Sequence, residues 1–165
     1  MARDSAPAVD MPPPPSATTQ WPSPEHELLQ VFVGKWSTEG QTRATDYEPS
    51  VKVDAVDEYE WLPGGFFLLH RITARIGDEE MRGIEIIGYD ADNDMYPMHF
   101  FDDKGTTTIS QLRRRDDSTW TIAADTERAT IKFDRSRESF TAAWERKNIV
   151  ARWQPWMDVK LTKAR

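Results

Sequence analysis

The sequence predicts an all-β chain: about ten antiparallel strands in an up-and-down barrel, behind one short helix and a disordered N-terminal tail. Three observations carry this. From Lys35 onward, β-branched and aromatic residues alternate with polar ones at period two, and no helix-period segment interrupts them. Turn clusters recur about every ten residues, a spacing suited to hairpins. Seven Trp, seven Phe and four Tyr supply the bulk to fill a core or line an apolar cavity. A meander of this length removes its exposed edges most simply by closing on itself.

The elements follow in order. Residues 1–23 are rich in Pro, Ala, Ser and Thr, with Pro12 to Pro15 in an unbroken run. Proline gives no ladder donor, and so little apolar side chain does not offset the entropy of ordering, so a disordered tail is expected. Residues 24–165 are expected to form the barrel domain. Ser23 is placed as an N-cap, Pro24 as the first helical residue, and Glu25 and Glu27 in the first turn. Leu28, Leu29 and Phe32 then share one helical face, His26 lies on the polar side, and Gly34 ends the helix. Strands are expected around Trp36, Val53, Leu68, Ile84, Met98, Ile109, Trp120, Ile131, Ala142 and Val159. Between them stand turn clusters such as Pro63-Gly64-Gly65, Gly77-Asp78, Asp90 to Asp94 and Asp134 to Arg137.

One hairpin has a register that the sequence sets. Gly77-Asp78 is a two-residue loop with Gly first, which suits a type II′ turn. Ile76 then faces Glu79, Ala74 faces Met81, Ile72 faces Gly83, His70 faces Glu85, Leu68 faces Ile87 and Phe66 faces Tyr89. Arg75 and Glu80 pair on the other face, as expected of a wet surface. The first set is therefore the interior. It forms a wall of Phe66, Leu68, Ile72, Ile87 and Tyr89, joined by Met157, Val159 and Leu161 from the last strand. His70 and Glu85 share this wall. One reading is a polar pair that satisfies a buried imidazole. The other is a carboxylate-tuned His facing a ligand, with His70 and Glu85 as catalytic groups. His99 depends on the Asp90–Asp94 loop. Five loop residues put it opposite Glu85, where two His and one carboxylate resemble a metal triad. Four put Phe100 there instead.

Composition excludes several functions. Cysteine is absent, so disulfides, thiol chemistry and Cys-based zinc sites are ruled out. The net charge of −7 lacks the basic excess of a nucleic-acid binder. Arg113, Arg114 and Arg115 read as a solvated strand end. No run reaches the ~18 apolar residues of a membrane span. No apolar stretch follows the first positive charge, so a cytoplasmic location is expected. Asp90, Asp92 and Asp94 lack the Gly and terminal Glu of a calcium loop. Gly64-Gly65 opens no helix and so is no phosphate loop, and no Ser sits in a nucleophile elbow.

Gly34-Lys35-Trp36 resembles the lipocalin signature, in which the Trp plugs one barrel end. With Leu28-Leu29, Trp61 to Phe67, Gly83 to Asp90, Phe100-Phe101-Asp102 and Gly105, the chain looks like a family of bacterial lipocalin-like, calycin-type barrels of unassigned function. The resemblance spans roughly residues 25–162 and implies a barrel of about ten strands around a cavity, but no reaction. More distantly, the opening resembles nitrobindin-type haem barrels. Those take iron on a His near the C-terminus, and here no His follows His99.

The reading is a binder of a small hydrophobic or aromatic molecule, with His70 and Glu85 as polar anchors. The alternatives are an isomerase, cyclase or hydrolase of a hydrophobic metabolite using His70 as general acid or base, and a packed barrel acting as an interaction protein. The expected partner is a small apolar molecule, with no cofactor, metal, nucleic acid or membrane. A homodimer is left open.

Overall fold

The computed structural model describes residues 20–165. Ten strands close into an antiparallel barrel: β1 (Gly34–Thr42), β2 (Lys52–Trp61), β3 (Leu68–Ile76), β4 (Glu79–Ile87), β5 (Tyr96–Asp102), β6 (Thr107–Arg114), β7 (Thr119–Ala123), β8 (Glu127–Phe133), β9 (Ser139–Lys147) and β10 (Trp153–Lys163). Each strand pairs with its sequence neighbours, and β1 pairs with β10 to complete the ring. All ten expected strand centres fall within these spans. The expected tail lies outside the described residues, apart from its last four.

The Gly77-Asp78 turn forms as expected. Gly77 has φ 59°, while Asp78 is not among the residues with positive φ, the combination a type II′ turn needs. It sets the pairs from Ile76↔Glu79 through Leu68↔Ile87. The one expected pair that fails is Phe66 with Tyr89, because β3 begins only at Leu68.

Alternation holds all the way round. The partners Trp36↔Asp57, Asp57↔Ile72 and Ile72↔Gly83 put these four on one face, and their parity returns consistently through β10. That inner face carries most of the core. A bulge between Pro155 and Met157 keeps Met157, Val159 and Leu161 pointing inward on the last strand.

The N-terminal segment seals one end. It begins as α1 (Pro24–Glu27) and tightens to a 3-10 helix over Leu28–Phe32. In a 3-10 helix, residues three apart eclipse. Leu29 and Phe32 therefore insert together, at 0% and 3% exposure, and Leu28 turns outward, against its expected place on their face. Phe32 meets Trp120, Phe133 and Phe140 edge-on at 5.3, 5.3 and 5.9 Å. Trp36 is fully buried beneath it and donates its indole N–H to the Phe32 carbonyl at 2.7 Å. Aromatic edges and faces attract at such separations, so this end is sealed by specific contacts as well as by bulk.

The opposite end is different. Ala55, Ile72, Met81, Phe100 and Trp144 have inward parity yet are only half-buried, and inward Thr108 is exposed. Solvent therefore enters the barrel from the end remote from the helix. Gly83 helps to shape this half: a Cβ there would lie 2.6 Å from the Phe100 ring, so the ring occupies space that any side chain at 83 would take.

The helical plug gives a direct test. Leu29→Ala is expected to cost about 2–5 kcal/mol in urea unfolding, the usual loss for a fully buried leucine. Leu28→Ala is expected to cost no more than about 0.5 kcal/mol, as for an ordinary surface change.

Candidate functional site

The middle of the barrel wall holds a polar cluster built from four consecutive strands. His70, on β3, lies between Tyr59 of β2 and Glu85 of β4. Its Nδ1–H donates to Glu85 Oε1 at 3.2 Å. Its Nε2–H donates to Asp57 Oδ1 at 2.8 Å. Asp57 is diagonal to His70, two residues along β2 from Tyr59. Its other oxygen, Oδ2, accepts the Thr38 hydroxyl of β1. The Tyr59 ring stacks flat on the imidazole, with centroids 4.0 Å apart and planes 5° off parallel. Thr38, Asp57, His70 and Glu85 are all buried.

This arrangement sets the protonation state. Each imidazole nitrogen meets a carboxylate oxygen, so each carries a proton and the ring is a cation. Burial alone pushes the His70 pKa down, but the hydrogen bonds and charges of Asp57 and Glu85 outweigh it and raise the value to about 9. The stacked Tyr59 face adds a cation–π contact. Burial, then the charges of Asp57 and Glu85, push the Tyr59 hydroxyl well above its usual range.

The cluster leaves one carboxylate oxygen unspent. Glu85 Oε2 has no partner among the described residues. No fully buried side-chain polar atom among them lacks a partner, so Oε2 retains solvent contact. Glu85 has inward parity, so that contact comes from the barrel interior.

The expected wall residues divide into three groups. Leu68, Ile87, Met157 and Val159 point inward and are buried, and Ile72 points inward and is half-buried. Phe66 and Tyr89 lie at the sealed end, each edge-on to His26 at 5.5 Å, and so pack under the helix instead of facing the open half. His99 is a correction. It pairs with Ile86 and Ile109 on the outer face and is exposed, while Glu85 faces Phe100. The Asp90↔Met95 bridge leaves four loop residues, tied by Asp90 Oδ1 to the amides of Asp92 and Asn93, and that count turns His99 outward. The arrangement of two His around one carboxylate therefore does not form.

His26 also departs from its expected exposed place. It is half-buried, and its Nδ1 accepts the Ser23 backbone N–H at 3.0 Å as part of the helix cap. Arg113 to Arg115 form a strand end tied to neighbouring loops and to β7: Arg113 donates to the Asn93 carbonyl at 3.0 Å, Arg114 pairs with Asp117, and Arg115 donates to Thr121 Oγ1 at 2.9 Å. Two surface depressions, of about 410 Å³ beside the helix and about 520 Å³ on the outer face over Gly40, do not reach His70, Asp57 or Glu85.

Sequence reasoning missed Asp57 and Tyr59. The signal was present, since Val53, Ala55, Asp57, Tyr59 and Trp61 alternate, with an acid set among apolar inward positions. What it lacked was a register, because the irregular link from 62 to 67 fixes no pairing between β2 and β3.

Residues 21–148 match a family described as "Protein of unknown function (DUF1579)". The chain belongs to that family. No curated protein matches it. Among solved structures, the DUF1579 barrel is similar to Rv2717c from M. tuberculosis, at TM-score 0.67 and 10% identity, covering 87% of this chain and 99% of that one. It is also similar to the S-type phycobiliprotein lyase CPES from Guillardia theta, at TM-score 0.61 and 8% identity, covering 84% and 92%. At these identities the likeness is one of fold. No helix among the described residues is long and apolar enough to cross a membrane.

The His70 cation makes stability depend on pH. Its folded pKa of about 9 lies above the ordinary 6.5. The stabilisation is therefore complete below that ordinary value and fades as pH rises through the folded one. Urea unfolding of the native protein relative to His70→Gln, from about pH 6 to about pH 10, is expected to lose up to about 3 kcal/mol of the difference. A flat difference across that range would mean that His70 is neutral in the fold.

Proposed function

We propose that residues 24–165 form a lipocalin-like, calycin-type barrel that binds a small hydrophobic or aromatic molecule in its open half. The observation that carries this reading is the half-buried inward wall. Ala55, Ile72, Met81, Phe100 and Trp144 point into the barrel, yet water reaches them. A barrel packed shut would bury them as fully as Leu68 and Ile87, at 0% and 1% exposure. An apolar, partly hydrated concavity with a few polar groups at its base is the usual form of a small-molecule site. A phycobiliprotein lyase shares the fold, which is consistent with a barrel used for binding.

Of the expected wall, Ile72, Met157 and Val159 suit the lining of the open half, with Leu68 and Ile87 as the core beneath. The anchors are reassigned. His70 spends both nitrogens on carboxylates, so it holds the site together and does not touch the ligand. Proton transfer by His70 needs a ring nitrogen open to substrate, and the enzyme reading loses its base on that ground. Glu85 remains as a contact group. A protein held in the cytoplasm, as monomer or homodimer, fits this reading.

The test uses a neutral hydrophobic dye, Nile red. The native protein is expected to bind it with enhanced fluorescence. Ile72→Asp, which puts a charge on the inner wall, is expected to weaken binding about tenfold or more, since burying an unpaired carboxylate is costly. Arg75→Ala, on the outer face, is expected to leave binding unchanged. Equal effects from the two changes would place the dye outside the barrel and contradict the proposal.

A further inference from the structure

The charges inside the barrel do not cancel. Away from the two rims, the inward positions of the ten strands carry Asp57, His70 and Glu85 as their ionisable acid and base side chains, and no Lys or Arg. One imidazolium stands between two carboxylates, which leaves the cluster one negative charge in excess. The rim cations are already engaged. At the open end Arg146 pairs with Glu127 at 2.8 Å and lies over the Trp156 ring at 3.6 Å. At the sealed end Arg114 pairs with Asp117, and Lys163 lies over the Trp36 ring at 5.3 Å.

The excess charge has a definite seat. Both Asp57 oxygens are taken, by Thr38 and by His70, and Glu85 Oε1 is taken by His70. Glu85 Oε2 alone has no partner among the described residues. Glu85 itself is 9% exposed, and that exposure opens into the barrel. A carboxylate oxygen in such a place accepts hydrogen bonds only, and its attraction for a cation is stronger there than in water. The surrounding wall is apolar or aromatic: Ile72 and Phe100 stand on the same face, with Ser110 and Thr108 as the nearest neutral polar side chains along β6.

From this geometry, and resting on the binding reading above, we infer that the barrel's ligand is an apolar or aromatic molecule bearing a cationic or N–H donor group, which docks on Glu85 Oε2. The apolar body fills the open half against Ile72 and Phe100. The donor head neutralises the one uncompensated charge of the interior. A carboxylate or phosphate head meets a repulsive wall there and has no inward Lys or Arg away from the rims to receive it.

Three ligands of one shape separate the outcomes: phenylbutylammonium, phenylbutanol and phenylbutyrate, each titrated against bound Nile red at neutral pH. The ammonium is expected to displace the dye at least about tenfold more tightly than the carboxylate, with the alcohol between them, as a charge-assisted hydrogen bond provides. In Glu85→Gln, which keeps an acceptor for His70 Nδ1, the ammonium's advantage is expected to fall to about twofold or less. Equal affinities, or a preference for the carboxylate, would overturn the inference and leave the binding proposal standing. A preference that survives in Glu85→Gln would overturn Glu85 as its seat. If neither dye nor any of the three ligands binds, both readings fall. Should Glu85→Gln not fold, the ranking on the native protein decides alone.

Discussion

The buried imidazolium of His70 exists inside this barrel because four strands bring its partners to it. A charge taken out of water costs several kcal/mol unless it is paired and hydrogen-bonded. Here β2 brings Asp57 and Tyr59, β4 brings Glu85, and β1 brings the Thr38 hydroxyl that fixes Asp57. The cluster also constrains the strands. Sliding any of the four by one residue would turn its member to the outer face and strand the remaining charges inside. The polar network thus adds to the register that the buried apolar residues of the same face already specify.

The two ends of the barrel divide the remaining work. At the sealed end the 3-10 turn drives Leu29 and Phe32 into a nest of Trp36, Trp120, Phe133 and Phe140, and most of the large fully buried side chains gather there. At the open end the inward residues are smaller or only partly buried: Ala55 and Ala129 stand among larger Ile72 and Phe100, with the Phe100 ring lying over Gly83. The cluster of Asp57, His70 and Glu85 lies between these regions. Three of its four carboxylate oxygens are held by protein, and the fourth, Glu85 Oε2, faces the barrel interior.

Much of this was legible in the sequence, for identifiable reasons. The strand positions followed from period-two alternation and turn residues, and the β3–β4 register followed from one turn, because Gly77 admits the positive φ that a two-residue loop requires. That register put His70 opposite Glu85. Reasoning stopped where geometry depends on something other than a tight turn. Asp57 reaches His70 diagonally across a strand pair joined by an irregular link. His99 turned on one loop residue, settled by the Asp90↔Met95 bridge. Leu28 was misplaced because the helix tightens after Glu27, which rotates its faces. Phe66 and Tyr89 lie beyond the regular β3–β4 pairing, where the helix, and not the hairpin, decides their contacts.

The central claim is that His70 is a cation held between two carboxylates, and nitrogen NMR of the three histidines tests it most directly. With ring nitrogens labelled, one imidazole is expected to keep both nitrogens protonated at about pH 8, where an ordinary histidine is neutral, and to titrate only near 9. Its signals are expected to vanish in His70→Gln. A spectrum at that pH in which all three rings are neutral tautomers would contradict the account. It would mean that a carboxylate of the cluster holds the proton instead, and the interior's one negative charge, from which the ligand's chemistry was inferred, would no longer have its seat fixed by an imidazolium between two carboxylates.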